Sequence, residues 1–369
     1  MKAICLSENL VSGLAIISRV TGRNTILPIL NNVLIEASNG KLILSSTNLE
    51  MAVVTKIGAN VKNSGKLTVP ARLMYEFVSL NKDNNISLEL DGTKFNLISE
   101  KNNASLNTLS VNDFPPIPGS EDGLKIKLDK NEFFSALEKV VFACAIDETR
   151  PVLTGVYLKI IHNQLTLVGT DSYRLAEITL TDIGVDDEVE ILIPATTVLE
   201  LVKIFTKDDS KIELNISSNQ IEINDPKTTI ISKLISGNFP EYKEIIPSSF
   251  KTDITIEKKE LIDSLKLAQS FSRDNSGNVV FKIKDKNLTI IARSDQFGEN
   301  ISKVNTEING EDVRITFNVK FILELLDKIN CQKITLLLNG PSSPVKIGSS
   351  EINNFIYIVM PLKVEEKEE

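Results

Sequence analysis

The sequence predicts an α+β chain made of three tandem copies of one unit, each with two helices and antiparallel sheets. Three observations carry that expectation. Marker residues recur at a spacing of 123 to 124, helix and strand periodicities return in fixed order, and 369 residues exceed one ordinary core. Each copy opens on an amphipathic helix, expected over 7–20, 129–144 and 257–271. In the second copy Phe133, Leu137, Val140 and Cys144 share one face, and Asp129 with Glu132 has capping-box spacing. A strand pair follows. Val33, Val156 and Val279 mark its first strand and Leu42, Leu165 and Leu288 its second, all 123 apart. Turns fall at Asn39-Gly40, His162-Asn163 and Asp285-Lys286.

Next comes a short strand running into a second helix, at 67–80, 191–205 and 315–329. Pro70, Pro194 and Asn318, 124 apart, stand at the helix start, where a missing N–H costs no intrahelical bond. Closing segments at 109–118, 234–247 and 355–364 complete the copies, with Phe114 and Phe239 125 apart and Pro361 following Pro240 by 121. Four signatures in one order point to triplication, with domains expected at 1–120, 121–249 and 250–364. The boundaries fall in the Pro/Gly/Ser stretches PPIPGSEDG and PSSFKTD, and residues 365–369 read as an acidic tail.

Composition narrows the function class. A hydrophobic content of 42% and a mean hydropathy of +0.01 are those of a soluble globular chain. No apolar run approaches the roughly 18 residues of a membrane span, and the start lacks the pattern of a secretion signal. Cys5, Cys144 and Cys331 are odd in number and far apart, poor material for disulfides or a zinc site. They read as small buried hydrophobes in a reducing cytosol, so a cytoplasmic location and no cofactor or metal are expected. The net charge of −8 argues against a broad basic face that grips nucleic acid tightly.

An enzymatic reading, a hydrolase or transferase, rests on Asp171, Arg174 and Asp295. It finds little support. The only histidine, His162, falls in a polar turn, and no G-x-S-x-G, P-loop, G-x-G-x-x-G, H-E-x-x-H or C-x-x-C occurs. Triplication builds a symmetric scaffold, whereas catalysis needs one asymmetric constellation. No helix-turn-helix or finger pattern supports sequence-specific DNA reading.

Three segments carry a resemblance: Thr170-Asp171-Ser172-Tyr173-Arg174-Leu175-Ala176, Asn238-Phe239-Pro240-Glu241-Tyr242 and Tyr357-Ile358-Val359-Met360-Pro361-Leu362. With Gly22-Arg23 and Leu27-Pro28-Ile29-Leu30 near the start, they resemble the bacterial beta sliding clamps, beta subunits of DNA polymerase III, over residues 1–364. The resemblance implies three DNA-clamp domains per chain. Two chains join head to tail as a homodimer and close a ring around duplex DNA, helices inside and sheets outside. It implies a processivity factor rather than an enzyme, touching DNA weakly and without sequence preference. The implied partners are a clamp loader, replicative and repair DNA polymerases and other clamp-motif proteins, with no membrane.

Carried over by residue, the DNA-facing cations are Arg23, Arg72, Arg150 and Lys203, with Lys139, Lys266 and Lys328 as further candidates. Asp147-Glu148 makes the loop before Arg150 acidic. The implied partner-peptide cleft, between the second and third domains, takes Leu153, Thr170, Ser172, Tyr173, Arg174, Leu175, Pro240 and Ile245. From the third copy come Asn318, Phe321, Ser342, Pro344, Ile358, Val359, Met360, Pro361, Leu362 and Lys363. Leu153, Leu175, Ile245, Val359 and Met360 suit an apolar pocket for a Leu or Phe anchor, and Arg174 suits hydrogen bonds to peptide carbonyls. Glu244 stands where a basic residue is common. Plainer readings stay open: Asp171 bonding its local backbone, Tyr173 as packing, Met360-Pro361 closing an edge strand. The dimer contact carries over to Leu106 and Phe271.

Overall fold

The computed structural model describes residues 1–22, 27–119, 122–205, 208 and 210–363; Arg23, the expected boundary at 120–121 and the acidic tail at 365–369 lie outside them. The first copy runs β1 (Lys2–Leu6), α1 (Ser7–Val20), β2 (Asn32–Ser38), β3 (Lys41–Thr47), β4 (Met51–Gly58), β5 (Asn60–Asn63), β6 (Gly65–Pro70), α2 (Ala71–Leu80), β7 (Asn85–Asp91), β8 (Lys94–Ile98) and β9 (Asn103–Asn107). The second runs β10 (Leu124–Asp129), α3 (Lys130–Val141), β11 (Gly155–Ile161), β12 (Gln164–Thr170), β13 (Arg174–Thr181), β14 (Val189–Pro194), α4 (Ala195–Ile204), β15 (Lys211–Ile216), β16 (Gln220–Asn224) and β17 (Thr228–Lys233). The third runs β18 (Thr252–Glu257), α5 (Lys258–Ser270), β19 (Asn278–Lys284), β20 (Asn287–Ser294), β21 (Gly298–Val304), β22 (Thr306–Asn309), β23 (Val313–Asn318), α6 (Val319–Lys328), β24 (Lys333–Leu338), β25 (Val345–Gly348) and β26 (Phe355–Val359). Apart from the short β5 and β22, the order is the same three times.

Local chemistry explains the recurrence. The first helices bury equivalent stripes at 0% exposure: Leu10, Leu14 and Ile17 in α1, Phe133, Leu137 and Val140 in α3, Leu261, Leu265 and Ala268 in α5. Asp129 Oδ1 accepts the Glu132 amide at 2.9 Å, which supplies the cap of α3. The three hairpin turns have positive φ at both central residues: Asn39 and Gly40, His162 and Asn163, Asp285 and Lys286. That is the requirement of a type I′ turn, which Asn and Gly meet with less strain than the +59° at Lys286. Pro70 and Pro194 end strands just before their helices, and in the third copy Asn318 caps instead, its Oδ1 accepting the Lys320 amide at 3.0 Å.

Strand pairing does not stop where a copy ends. β17 of the second copy pairs antiparallel with β4 of the first, and β26 of the third pairs with β13 of the second. The results are an eight-stranded sheet, β10-β15-β16-β17-β4-β3-β2-β6, and a nine-stranded sheet, β14-β11-β12-β13-β26-β25-β24-β18-β22. The chain accordingly divides into two compact units, Met1–Phe133 with Leu199–Leu234 and Phe134–Val198 with Ile235–Glu369, each holding one composite sheet. The first unit also carries the sheet β5-β1-β7-β8-β9 and the second the sheet β21-β20-β19-β23.

In the second unit the last turns of α3 lie directly on β12. A Cβ on Gly169 would stand 2.2 Å from the Val140 carbonyl oxygen and 3.1 Å from Cys144 Sγ. Burial pushes the Cys144 thiol up to about 12, so this sulfur packs as an uncharged hydrophobe. Gly169→Ala forces helix from sheet, and a loss of about 1–3 kcal/mol in urea unfolding is expected. An unchanged midpoint would mean that the helix can slide without cost.

Candidate functional site

The segment that joins β12 to β13 builds the site, and Asp171 organises it. Its Oδ1 accepts the amides of Tyr173 at 2.9 Å and Arg174 at 3.0 Å, while Oδ2 accepts Arg174 Nε at 3.0 Å. Thr170 Oγ1 donates to the Arg174 carbonyl at 2.6 Å, and Ser172 takes the left-handed conformation, φ +74°, that the tight turn needs. Arg174 is folded inward, 6% exposed. Nη1 pairs with Glu324, Nη2 donates to the Phe142 carbonyl at 2.8 Å, and the guanidinium lies 4.7 Å from the Phe321 ring centroid. Burial works against its charge, the bond to Glu324 works for it, and the net direction is upward. Arg174 therefore braces the turn. The role expected for it, hydrogen bonding peptide carbonyls, falls on a group whose three nitrogens already have partners within the chain.

Around this turn opens a pocket of about 490 Å³. Five residues expected in the cleft line it: Leu153, Ser172, Tyr173, Arg174 and Phe321. Arg150, expected on DNA, lines it too, its Nη1 3.3 Å from Ser172 Oγ. Tyr173 is 59% exposed and Ile146, absent from the sequence expectations, is 91% exposed beside it.

The nine-stranded sheet separates the remaining cleft residues. Arg174 pairs with Val359 and Leu175 with Ile358, so neighbouring residues point to opposite faces. Leu175 and Ile358 join Tyr157, Val168, Leu192 and Tyr242 in a buried cluster. Phe239 stacks on Tyr157 there, centroids 4.7 Å apart, as the chain crosses the sheet. Beyond Tyr242, Ile245 stays 39% exposed, and Pro240 and Glu244 are exposed. Val359 is buried on the Arg174 face, where Tyr357 donates to the Phe321 carbonyl at 2.9 Å. Half-buried Met360 is held by its amide on the Tyr173 carbonyl at 2.8 Å, and Leu362 by its amide on Thr316 at 2.8 Å. Pro344 and Pro361 are half-buried, Ser342 and Lys363 exposed. Sequence reasoning missed Phe142, Lys320 and Glu324; only the 124-residue series Glu76, Glu200, Glu324 pointed at the last.

Three of the DNA-facing candidates have acidic neighbours. Arg72 Nε lies 3.0 Å from Glu76, Lys203 Nζ 2.9 Å from Glu200 and Lys328 Nζ 3.4 Å from Asp327. Lys266 is exposed and Lys139 half-buried. Of the dimer candidates, Leu106 is 7% exposed on the edge strand β9, opposite Phe95, and Phe271 is half-buried at the end of α5. Among the described residues no cluster of three His, Cys, Asp or Glu could hold a metal ion. None of their helices is long and apolar enough to cross a membrane.

Comparison with known proteins gives one consistent answer. The DNA polymerase III beta subunit family is matched by its N-terminal domain over residues 1–118, its central domain over 127–241 and its C-terminal domain over 243–363. The beta sliding clamp of Chlamydia muridarum is 27% identical over 367 residues, 99% of both chains. That of Synechocystis is 28% identical over 391 aligned positions, covering 99% of this chain and 100% of the relative. Among solved structures, the DNA polymerase III beta subunit of Thermotoga maritima superposes with a TM-score of 0.93 at 27% identity, covering 99% of this chain and 100% of its own. The chain belongs to the DNA polymerase III beta subunit family.

Proposed function

We propose that this protein is a DNA sliding clamp, a homodimeric ring that encircles duplex DNA and docks the proteins that work on it. One observation carries the ring. The last strand of each later copy pairs with the third strand of its hairpin sheet in the copy before: β17 with β4, β26 with β13. The first copy's last strand, β9, and the third copy's equivalent partner, β21, are left at open sheet edges. Open edges carry unpaired N–H and C=O groups, and a second copy, joined head to tail, satisfies both at once. The five-stranded and four-stranded sheets then become a third composite sheet.

A closed ring stays on DNA by topology and needs only loose contacts. Non-specific binding of about 10⁻⁴–10⁻⁶ M suits sliding. Arg72 and Lys203, each beside a glutamate of its own helix, offer positive charge without a strongly basic stripe. Arg23 and Arg150, by resemblance, complete the DNA-facing set. The pocket beside Tyr173, with exposed Ile245, Pro240 and half-buried Met360, takes short apolar motifs of DNA polymerases and the clamp loader. The reading is not enzymatic: both carboxylate oxygens of Asp171 are occupied by the turn and Arg174. Buried Cys5 and Cys144 suit a cytoplasmic protein.

Two measurements test this. Loaded protein is expected to stay on nicked circular DNA through a gel filtration column and to leave linear DNA of the same length; equal retention would exclude topological holding. Tyr173→Ala combined with Ile245→Glu, both exposed positions, is expected to weaken a polymerase-derived clamp-motif peptide about tenfold or more in fluorescence anisotropy, with the unfolding midpoint unchanged. Full affinity in the double variant would move the cleft elsewhere.

A further inference from the structure

The chain contains its own control for the Arg174 cluster. The turn between β3 and β4 repeats the one between β12 and β13, 123 residues earlier. Asn48 Oδ1 accepts the amides of Glu50 at 3.0 Å and Met51 at 2.7 Å, as Asp171 accepts those of Tyr173 and Arg174. Thr47 Oγ1 donates to the Met51 carbonyl at 3.0 Å, and Leu49 takes φ +78° where Ser172 takes +74°. The strand across each seam docks alike, the Lys233 amide on the Glu50 carbonyl and the Met360 amide on that of Tyr173. Yet Met51, 5% exposed, fills the place of Arg174. Turn and seam therefore form without the arginine. A buried ion pair can often be exchanged for packed apolar groups at no loss of stability, so the cluster answers a need other than folding.

Glu200 on α4 and Glu324 on α6 are 124 apart, but their arginines come from different elements. Glu200 meets Arg19 of α1 at 3.6 Å. Phe142 stands 123 residues after Arg19, and Glu324 meets Arg174 of β13 instead. On the strand the guanidinium lies between two rings, 5.5 Å from the centroid of Phe142 and 4.7 Å from that of Phe321. Phe321 and Tyr173 line the pocket of about 490 Å³. Glu324 stands behind it, lining a separate cavity of about 580 Å³ with Phe142, Leu323 and Lys328.

We propose that Glu324 is a positioning residue for the partner peptide: from outside the pocket, through Arg174, it fixes the Phe321 ring and the turn that presents Tyr173. This rests on the docking reading above and adds a residue to that site. Glu324 Oε2 takes Nη1 of Arg174, while Nε bonds Asp171 Oδ2 and Nη2 the Phe142 carbonyl, so the guanidinium plane has one orientation. Phe321 rests on that plane. Lys320 reaches the other oxygen, Oε1, at 3.7 Å and lines both cavities. Without the glutamate charge the guanidinium is free to turn, and the pocket wall must be ordered when the peptide arrives, at a cost in affinity.

Peptide affinity and urea unfolding, measured side by side on the full chain with the polymerase-derived clamp-motif peptide, test this. Glu324→Gln is expected to weaken the peptide about fivefold to tenfold at an unchanged unfolding midpoint. Glu324→Asp, which keeps the carboxylate, is expected to recover at least half of that loss. Asp171→Asn with Arg174→Met installs the pair found at the first seam. It is expected to keep the midpoint and to weaken the peptide about tenfold, after which Glu324→Gln adds less than about twofold. Full affinity in Glu324→Gln, or an aspartate variant no better than the glutamine one, overturns the role of Glu324. A full further loss on top of Asp171→Asn with Arg174→Met overturns the route through Arg174. A lowered midpoint with affinity unchanged makes the cluster purely structural. Failure of the unaltered protein to bind the peptide overturns the docking reading itself.

Discussion

The structure depends on backbone hydrogen bonding carried across the ends of the repeated copies. A four-stranded half-sheet has two edges, and each edge strand presents polar groups that cost free energy when left dry. Pairing β17 with β4 and β26 with β13 removes four of these edges by joining half-sheets of successive copies. The compact units are consequently not the repeats. Each unit is a composite sheet with the helices that cover it, and the second copy is shared between both. The repeat is the unit of sequence, and the seam is the unit of packing.

The polar cluster at the second seam follows from that arrangement. Once β26 lies beside β13, Arg174 is trapped between Phe321, Phe142 and the sheet, where an unpaired charge would be costly. Asp171 and Glu324 answer it from a turn of the second copy and a helix of the third. The cluster fixes the backbone of Ser172 and Tyr173 and so holds one wall of the pocket rigid. Binding groups on a preorganised wall lose less entropy when a peptide docks. The exposed Tyr173 and the buried Arg174 are adjacent in sequence and play different parts: one faces solvent at the pocket, the other holds the turn that carries it.

Helices, hairpins and turns were legible in the sequence because each is local. Core stripes at Leu10, Phe133 and Leu261, turn pairs such as His162-Asn163 and the Asp129 cap all follow from periodicity and side-chain chemistry. The proposed cleft comes from resemblance alone, and only as a set of residues. Which face each one takes depends on the β13–β26 register, a contact between residues about 180 positions apart that no local pattern encodes. Hence Leu175 and Arg174, neighbours in the same motif, lie on opposite faces, and only the series Glu76, Glu200, Glu324 hinted that Glu324 would join the cluster. The turn before β21 is of the same kind: Thr170 pairs with Leu175, but Arg293, 123 residues later, pairs with Glu299, one residue further on.

Net acidity and DNA encirclement are compatible for a reason of magnitude. Two unit charges about 4 Å apart in water interact by only about 1 kcal/mol, close to thermal energy, so an exposed lysine–phosphate contact forms and breaks readily. At the proposed DNA-facing positions Arg72 and Lys203, a glutamate one turn away, Glu76 and Glu200 respectively, would weaken such a contact further. For a protein held by affinity this would be a defect. For a ring held by topology it lowers the barrier between successive positions along the duplex, because no contact must be paid for in full before the next one forms.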